Sequence, residues 1–377
     1  MHFIKPGMLS TFQDMGRIGY QHLGVPTAGP MDRRAHQLAN LLVGNPVWQA
    51  TLEITLTGPA IEFSSACCIA ITGADLSPKI NDQPAALNRP LILREGDRLS
   101  FGTRIRGARA YLAIHGGYQL DSVLNSTSTY LRSAMGGYQG RALKRDDRVE
   151  LNKRLEPSDL SSLAQDLWNI RIYLPASVVE QPRARIRIIK SNQWMDFTPE
   201  SCAAMLTETF RISPDSERMG YRLAGPTLSL STPRQMISEA TTFGTIQVPA
   251  GGQPIVLMAD TQTTGGYPKI AYVASVDLPL LAQMAPGDQV RFQSIKLDEA
   301  QKLDAARELA LTNSLKRFNL SINWSQPTSF STIGTMRSVQ TIISAQSTQQ
   351  ESKSNDFAYR FELRHGRELR RLENGQR

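Results

Sequence analysis

Short alternating apolar segments, separated by turn residues, recur along most of this chain and limit what it can fold into. Leu52–Phe63 alternates on both sides of a Gly-Pro pair, and Cys67–Leu76 is a longer apolar run. Lys79–Leu87 has Asn81-Asp82 where a hairpin would turn. Many short strands with close turn signals favour a barrel or a sandwich over alternating strand–helix units. The sequence therefore predicts a mainly β fold.

Three segments have the periodicity and the end residues of helices. Met31–Gly44 has apolar residues at helical spacing and is preceded by Pro30. Thr198–Phe210 begins with a threonine suited to an N-cap, followed by a proline. Asp298–Phe318 is helical in pattern and strongly charged. The fold should therefore contain a few helices among many strands.

The length of 377 residues exceeds what one hydrophobic core usually holds, which favours two domains. Leu56–Phe63 resembles Leu223–Leu230, and Arg94–Phe101 resembles Ala285–Phe292 in the same order, as in a duplicated β domain. The composition then predicts a β domain over 1–152, a polar connector over 153–182, a second β domain over 183–297, a helical segment over 298–323 and a disordered or partner-dependent tail over 324–377.

Composition excludes several classes of protein. The 42 Lys and Arg residues exceed the 34 Asp and Glu residues, but no basic block stands alone, so we expect no nucleic-acid partner. Three cysteines exclude a disulfide framework, and with five histidines they form no spaced set of metal ligands. No run approaches the ~20 apolar residues of a membrane span. The first residues lack the pattern of a signal peptide, so we expect a cytoplasmic protein without a membrane association.

One polar segment lies near the start of the chain, over Thr11–Pro26 and Ala28–Asp32. Asp14 and Arg17 stand there among glycines, and a loop of this kind can bring polar side chains close to a ligand. A folded connection before a helix explains the same pattern equally well.

A second polar segment runs over Ile246–Ile270. An apolar strand leads into Asp260, Gln262 and Thr264, and a Gly-Gly turn is followed by Lys269. Amides, hydroxyls, a carboxylate and an ammonium group so close together suit a small substrate that carries an amide or a carboxylate. The alternative is a polar hairpin end whose aspartate caps a turn.

A third polar segment consists of Asn125–Leu131 followed by Met135–Arg141. Its hydroxyls, glycines and Arg141 suit a phosphate or a carboxylate, although a Ser/Thr-rich bend is the commoner meaning of such a pattern.

These polar segments carry a resemblance to a known family. Residues 7–45 resemble the opening of the allophanate hydrolase subunit 2 family, also called the KipA or biotin-dependent carboxyltransferase-like family. Further segments match it in order across about residues 1–297, among them LEITLTGP, NSTSTYLR, GGYQGRAL, SERMGYRL and GTIQVPAGGQPIVLMADTQTTGGYPKIA. The resemblance implies two tandem cyclophilin-like β-barrel domains.

Members of this family include the C subunit of bacterial 5-oxoprolinase. The resemblance therefore implies a subunit of an ATP-dependent complex that opens 5-oxo-L-proline to L-glutamate through a phosphorylated lactam. It also implies two partners, a B subunit of the KipI-like or allophanate hydrolase subunit 1 type and an A subunit of the LamB/YcsF type. ATP would be a cosubstrate of the complex, and the chain would be a hydrolase subunit active only with its partners.

Such a site must bind a carboxylate, an amide and phosphates, which assigns roles to the polar residues. We expect Asp260 and Lys269 to be catalytic. The expected substrate-binding residues are Arg17, Arg141, Gln247, Gln262, Thr264, Gly265, Gly266 and Tyr267. No metal site is expected.

Two other functions fit the same family. The chain could be the carboxyltransferase component for urea or a similar amide; it has no Met-Lys-Met biotinylation site, so covalent biotin would be on a separate partner. It could also be a KipA-like regulatory protein that binds and sequesters a KipI-like partner.

Overall fold

The computed structural model of the protein describes residues 1–156, 185–232 and 236–321. Within these ranges the chain forms twenty β-strands and four α-helices, so the predicted mainly β fold is confirmed. The predicted connector over 153–182 lies, from residue 157 onward, outside the described residues, and so does the predicted tail over 324–377. No helix in the described ranges is long and apolar enough to cross a membrane.

The N-terminal half forms two five-stranded sheets around one core. Their orders are β1-β4-β9-β6-β7 and β2-β3-β10-β5-β8. The strands are β1 His2–Lys5, β2 Leu9–Gln13, β3 Thr51–Thr55, β4 Ala60–Glu62, β5 Cys67–Asp75, β6 Lys79–Ile80, β7 Gln83–Pro84, β8 Pro90–Leu93, β9 Arg98–Ser100 and β10 Arg106–Ile114. Phe3, Phe12, Leu52 and Ile69 are fully buried between the sheets.

The C-terminal half forms an eight-stranded sheet in the order β19-β12-β13-β16-β15-β18-β11-β20. Its edge strands β19 and β20 are separated by Arg291 alone, so the sheet curls into a nearly closed barrel. The strands here are β11 Ile186–Lys190, β12 Phe210–Ile212, β13 Gly220–Ala224, β14 Glu239–Ala240, β15 Thr245–Gln247, β16 Ile255–Leu257, β17 Thr264–Gly265, β18 Lys269–Val273, β19 Gln289–Val290 and β20 Phe292–Ser294. β14 and β17 form a separate two-stranded ribbon.

The three predicted helices are present with slightly different ends, and a fourth was missed because it has only five residues. They are α1 Arg33–Leu42, α2 Pro199–Thr207, α3 Leu278–Ala282 and α4 Leu297–Ser321. α1 begins after Asp32, whose side chain accepts a hydrogen bond from the Ala35 amide at 2.9 Å. α2 begins after Thr198, which caps the Ser201 amide at 3.2 Å, as predicted.

The predicted hairpin turn is also present. β6 and β7 pair across Asn81 and Asp82, whose φ angles are 49° and 65°. Two consecutive left-handed residues form the turn that matches the twist of a two-residue hairpin, and asparagine and aspartate tolerate it.

The two Gly-Pro units that suggested a duplication have similar packing in the structure. Gly58 lies against the ring of Phe101, and Gly225 lies against the ring of Phe210. A side chain at either glycine would overlap that ring, so each unit needs a glycine there.

We expect Gly58→Ala to destabilise the protein by about 1–3 kcal/mol, because the added methyl group would displace the Phe101 ring. Gly251→Ala is the control, since a Cβ at Gly251 would meet no atom within 4 Å. That control should change the free energy of unfolding by no more than about 0.5 kcal/mol. Chemical denaturation of both variants measures the difference, and equal effects would contradict this packing.

Candidate functional site

A buried group of charged side chains, which we call the interdomain network, joins the two β domains. Its members are Glu53 on β3, Arg109 and Tyr111 on β10, Arg218 before β13 and Asp260 after β16. Arg218 donates from Nε and Nη2 to the two oxygens of Asp260, at 2.9 and 2.8 Å. It also donates from Nη1 to Glu53 and from Nη2 to the carbonyl oxygen of Gly29, at 2.7 Å in the second case. One guanidinium thus ties the C-terminal domain to two segments of the N-terminal domain.

Glu53 also accepts hydrogen bonds from donors within the N-terminal domain. Its Oε2 atom accepts hydrogen bonds from the Met31 amide at 2.9 Å and from the Tyr111 hydroxyl at 2.8 Å. Burial alone would raise the pKa of Glu53, but Arg218 and Arg109, together with these donors, hold it below its ordinary value. Glu53 is therefore ionised and fully paired.

Gln283 makes a second connection between the domains. From the end of α3 its Nε2 atom donates to Asp32 Oδ2 at 2.8 Å and to the Arg109 carbonyl oxygen at 2.9 Å. Its Oε1 atom accepts from the amides of Ala108 and Arg109, at 3.0 and 3.1 Å. The Gln283 side chain thus pairs backbone amides and a carbonyl oxygen of β10 where this strand meets the other domain. These hydrogen bonds fix the two domains relative to each other at that point.

The structure places Asp260 in the interdomain network and not on an open surface. The residue is 4% exposed, and each of its carboxylate oxygens accepts a hydrogen bond from Arg218. Its own amide donates to the Arg218 carbonyl oxygen at 2.9 Å. This pairing holds Asp260 in place within the second polar segment, and its expected catalytic role stays a prediction.

The first and third polar segments meet at Asp14. Its carboxylate accepts hydrogen bonds from the hydroxyls of Ser126 and Ser128, both at 2.6 Å. The amides of Thr127 and Gly16 donate to it at 2.6 and 2.9 Å. Burial opposes the charge, but these donors lower the pKa of Asp14, so the carboxylate binds the two segments together.

Arg17 lies beside this contact as an incompletely paired cation. The residue is fully buried, and its Nη2 atom donates to the Ser128 carbonyl oxygen. Its Nε and Nη1 atoms have no hydrogen-bond partner among the described residues. Burial lowers the pKa of Arg17, while Asp14 and Asp260 oppose that shift. A buried guanidinium with two unused donors suits an anionic ligand.

The Lys269 side chain lies in a second group of polar residues, which we call the Lys269 cleft: Glu239, Gln247, Gln262, Gly265 and Lys269. The Lys269 side chain is 4% exposed, and its Nζ atom contacts Glu239 Oε2 at 2.5 Å. Gln247 is opposite Lys269 in the β15–β18 pair, and its Nε2 atom lacks a partner in the described ranges.

Gly265 lies against two amide side chains of this group. A Cβ atom there would be 2.7 Å from Gln247 Nε2 and 3.0 Å from Gln262 Nε2. Both amide nitrogens therefore approach the backbone so closely that only glycine fits at this position. Thr264 and Tyr267 are exposed next to it, and Gly266 is partly buried against Ser238. The structure thus brings together seven of the predicted residues: Lys269, Gln247, Gln262, Thr264, Gly265, Gly266 and Tyr267.

Arg141 is paired within its own loop. Its guanidinium donates to both oxygens of Asp147, at 2.7 and 2.8 Å, and to Gln139 Oε1 at 2.8 Å. These contacts stabilise the loop, and the expected substrate-binding role of Arg141 stays a prediction.

Sequence reasoning did not assign three residues that matter here: Glu53, Arg218 and Glu239. Glu53 did carry a signal, because it is the single charged residue in the strand Thr51–Thr55. Arg218 lies within a segment that resembles the family, but its type alone did not mark it. Glu239 stands between Ser238 and Ala240 without any local pattern.

The chain is similar to several known proteins. Residues 23–294 match the family model described as carboxyltransferase domain, subdomain A and B. The chain is 37% identical to the C subunit of 5-oxoprolinase from Escherichia coli (strain K12), over 80% of this chain and 93% of that protein. It is 31% identical to urea amidolyase of Saccharomyces cerevisiae, over 81% of this chain and 17% of that protein.

Solved structures agree with these sequence matches. The structure of Kluyveromyces lactis urea carboxylase has a TM-score of 0.75 and 29% identity, covering 83% of this chain and 29% of that one. The K. lactis urea amidolyase structure has a TM-score of 0.74 and 30% identity, covering 83% of this chain and 20% of that one. The chain thus spans less than a third of either enzyme.

Removal of the central cation should show how far the interdomain network supports the fold. We expect Arg218→Met to destabilise the protein by about 3–5 kcal/mol, because Glu53 and Asp260 would be left buried without their cation. Arg98→Met removes an exposed ion pair with Glu62 and should cost at most about 1 kcal/mol. Urea denaturation at neutral pH measures both values, and equal losses would contradict the account.

The deficit of Arg218→Met should also shrink in acid. In the wild type the pKa of Glu53 is lowered, so its stabilising contribution is present above the unfolded value of 4.5 and is lost as the pH falls through the folded pKa. In the variant the main charge that opposes burial is gone, so the pKa of Glu53 is higher than in the wild type and the protonated form is favoured. The stability gap between the two proteins should therefore begin to narrow as the pH falls through the raised pKa of the variant, and should go on narrowing down to the lowered pKa of the wild type.

Proposed function

The chain belongs to the family of carboxyltransferase domains, subdomains A and B, and from this membership we propose that it is the C-type subunit of an ATP-dependent 5-oxoprolinase. The observation that carries the proposal is the extent of the match. Alignment covers 93% of the E. coli 5-oxoprolinase C subunit, whereas it covers 17% of the yeast urea amidolyase. The match therefore spans nearly the whole of that C subunit, which supports the same role for this chain.

The proposed reaction opens the lactam of 5-oxo-L-proline. A lactam carbonyl is a poor electrophile, so its oxygen first takes the γ-phosphoryl group of ATP and ADP leaves. One water adds to the activated carbon, the ring C–N bond breaks and the nitrogen takes a proton, which leaves an acyl phosphate. A second water cleaves the acyl phosphate to L-glutamate and inorganic phosphate.

The Lys269 cleft has the donors that this substrate needs. The Lys269 ammonium suits an anionic group, and the amides of Gln247 and Gln262 suit the lactam N–H and C=O. Thr264, Gly265, Gly266 and Tyr267 are on the ribbon and turn that border the cleft. Arg17 offers a second position for an anion. The expected roles of Asp260 and Arg141 stay predictions.

The proposal includes partners. A KipI-like B subunit and a LamB/YcsF-type A subunit would complete the complex, and ATP would serve as cosubstrate in the cytoplasm. The relatives named as 5-oxoprolinase subunits support a complex of several chains. No covalent biotin is proposed on this chain.

A second candidate function is carboxyl transfer to urea or a similar amide. It is favoured by the similarity to urea amidolyase and to the urea carboxylase structure. This function requires a separate biotinylated protein as the carboxyl donor, so avidin should abolish it and should leave 5-oxoprolinase activity unchanged.

Reconstitution with both partner subunits tests the proposal. We expect release of glutamate from 5-oxoproline that depends on ATP. Lys269→Met should reduce kcat/KM at least about tenfold, because it removes a charge-assisted contact of roughly 1.5–3 kcal/mol. Lys302→Met, which alters a lysine whose side chain is 80% exposed on α4, should retain wild-type activity.

Three outcomes would overturn the proposal. The absence of turnover with all three subunits folded and associated would exclude a 5-oxoprolinase and favour a regulatory complex with the KipI-like partner. Avidin-sensitive carboxylation of urea would favour the second candidate. Equal activity of Lys269→Met and Lys302→Met would show that the Lys269 cleft takes no part in the reaction.

A further inference from the structure

Glu239 contacts Lys269, the single lysine of the second polar segment, which is buried, yet the Glu239 side chain itself is half exposed. The Lys269 side chain is 4% exposed, and the Glu239 side chain is 51% exposed. A buried ammonium requires a negative partner, whereas a half-exposed carboxylate is already well hydrated. Loss of the ion pair would therefore cost more free energy at Lys269, which is buried, than at Glu239, which water can solvate.

The backbone around Glu239 is weakly held. β14 has two residues and pairs only with β17, through Glu239–Gly265 and Ala240–Thr264. A ribbon of two residues per strand has little stability of its own. By contrast, Lys269 is on β18 inside the eight-stranded sheet, and its amide donates to Gln193 Oε1 at 2.7 Å. Glu239 can leave the contact while Lys269 stays in place.

The cleft keeps one donor that Glu239 does not use. Gln247 Nε2 is buried without a hydrogen-bond partner among the described residues, although it lies opposite Lys269 on the neighbouring strand. It lies close against Gly265, as Gln262 Nε2 does. An unpaired buried amide is costly, so a ligand larger than one carboxylate fits this set of donors better than Glu239 alone.

We propose that Glu239 is an internal substitute for the carboxylate group of the ligand. In the free protein it neutralises Lys269; an incoming carboxylate takes its place, and Glu239 turns to solvent. The ligand class is a small molecule with a carboxylate beside an amide or lactam, whose amide group pairs with Gln247. The identity of that ligand as 5-oxoproline rests on the proposed function.

This exchange has a consequence for affinity. The apparent dissociation constant of a ligand is raised by the fraction of protein in which its site is blocked. Removing the charge of Glu239 should therefore tighten binding, in contrast to the loss expected when a true binding residue is changed. No such gain is expected for a ligand without a carboxylate.

The test uses Glu239→Gln in the reconstituted complex, with Glu299→Gln, an exposed glutamate of α4, as the matched control. We expect Glu239→Gln to lower the KM for 5-oxoproline about tenfold with kcat changed less than twofold. Glu299→Gln should equal the wild type. A rise in KM for Glu239→Gln would show that Glu239 belongs to the binding site and would overturn the inference, as would an unchanged KM.

Thermal unfolding of the full chain separates this inference from the proposed function. 5-Oxoproline should raise the melting temperature of Glu239→Gln more than that of the wild type, and pyrrolidin-2-one, the same lactam without the carboxylate, should affect both equally. That result in the absence of turnover would refute the 5-oxoprolinase function and retain the carboxylate exchange. Equal shifts with 5-oxoproline in both proteins would refute the exchange while turnover still supported the function. If Glu239→Gln does not fold, Glu239→Asp, whose shorter side chain weakens the contact, should give the same signs with smaller shifts.

Discussion

The pairing of one buried arginine with two buried carboxylates is the interaction on which the rest of this structure depends. Arg218 contacts Asp260 in its own domain, and Glu53 and the Gly29 carbonyl oxygen in the other. Two carboxylates and a guanidinium removed from water are costly unless every hydrogen bond is made. Here Glu53 also accepts hydrogen bonds from the Met31 amide and the Tyr111 hydroxyl. The network therefore fixes the relative position of the two domains. Apolar packing alone, which is not directional, would define that position less narrowly.

Two kinds of polar site result, and the different exposure of their carboxylates suggests different roles. In the interdomain network the carboxylates of Glu53 and Asp260 are buried and paired, which suits a fixed support, although Arg109 Nε has no hydrogen-bond partner among the described residues. In the Lys269 cleft an amide has no partner within the described ranges, and Glu239, which pairs with Lys269, is half exposed. Asp260 connects the two, since the chain runs from it through β17 to Lys269. A ligand site whose support is rigid and whose donors are incompletely paired is suited to bind with little rearrangement of the backbone.

Features that depend on residues close together in the sequence could be predicted, whereas contacts between distant residues could not. Asn81-Asp82 and the Thr198 cap act through residues no more than a few positions away, so their sequence neighbours reveal them. The pairing of Glu53 with Arg218 joins residues 165 positions apart, and no local pattern encodes it. Asp260 looked like a free polar residue for the same reason, because its partner was not visible. Lys269 and Gln247 could be named from composition, whereas Glu239 required the register of β14 against β17.

Hydrogen–deuterium exchange of Arg218→Lys shows whether Arg218 holds the two domains together, because lysine keeps the charge but loses the two-pronged geometry of the guanidinium. We expect faster exchange at the amides of Met31 and Asp32 in the N-terminal domain and at Asp260 in the C-terminal domain. These amides should change together, while those in the β3–β10 pair keep their wild-type protection. Faster exchange confined to Asp260 would contradict this role, because Arg218 would then support its own domain alone.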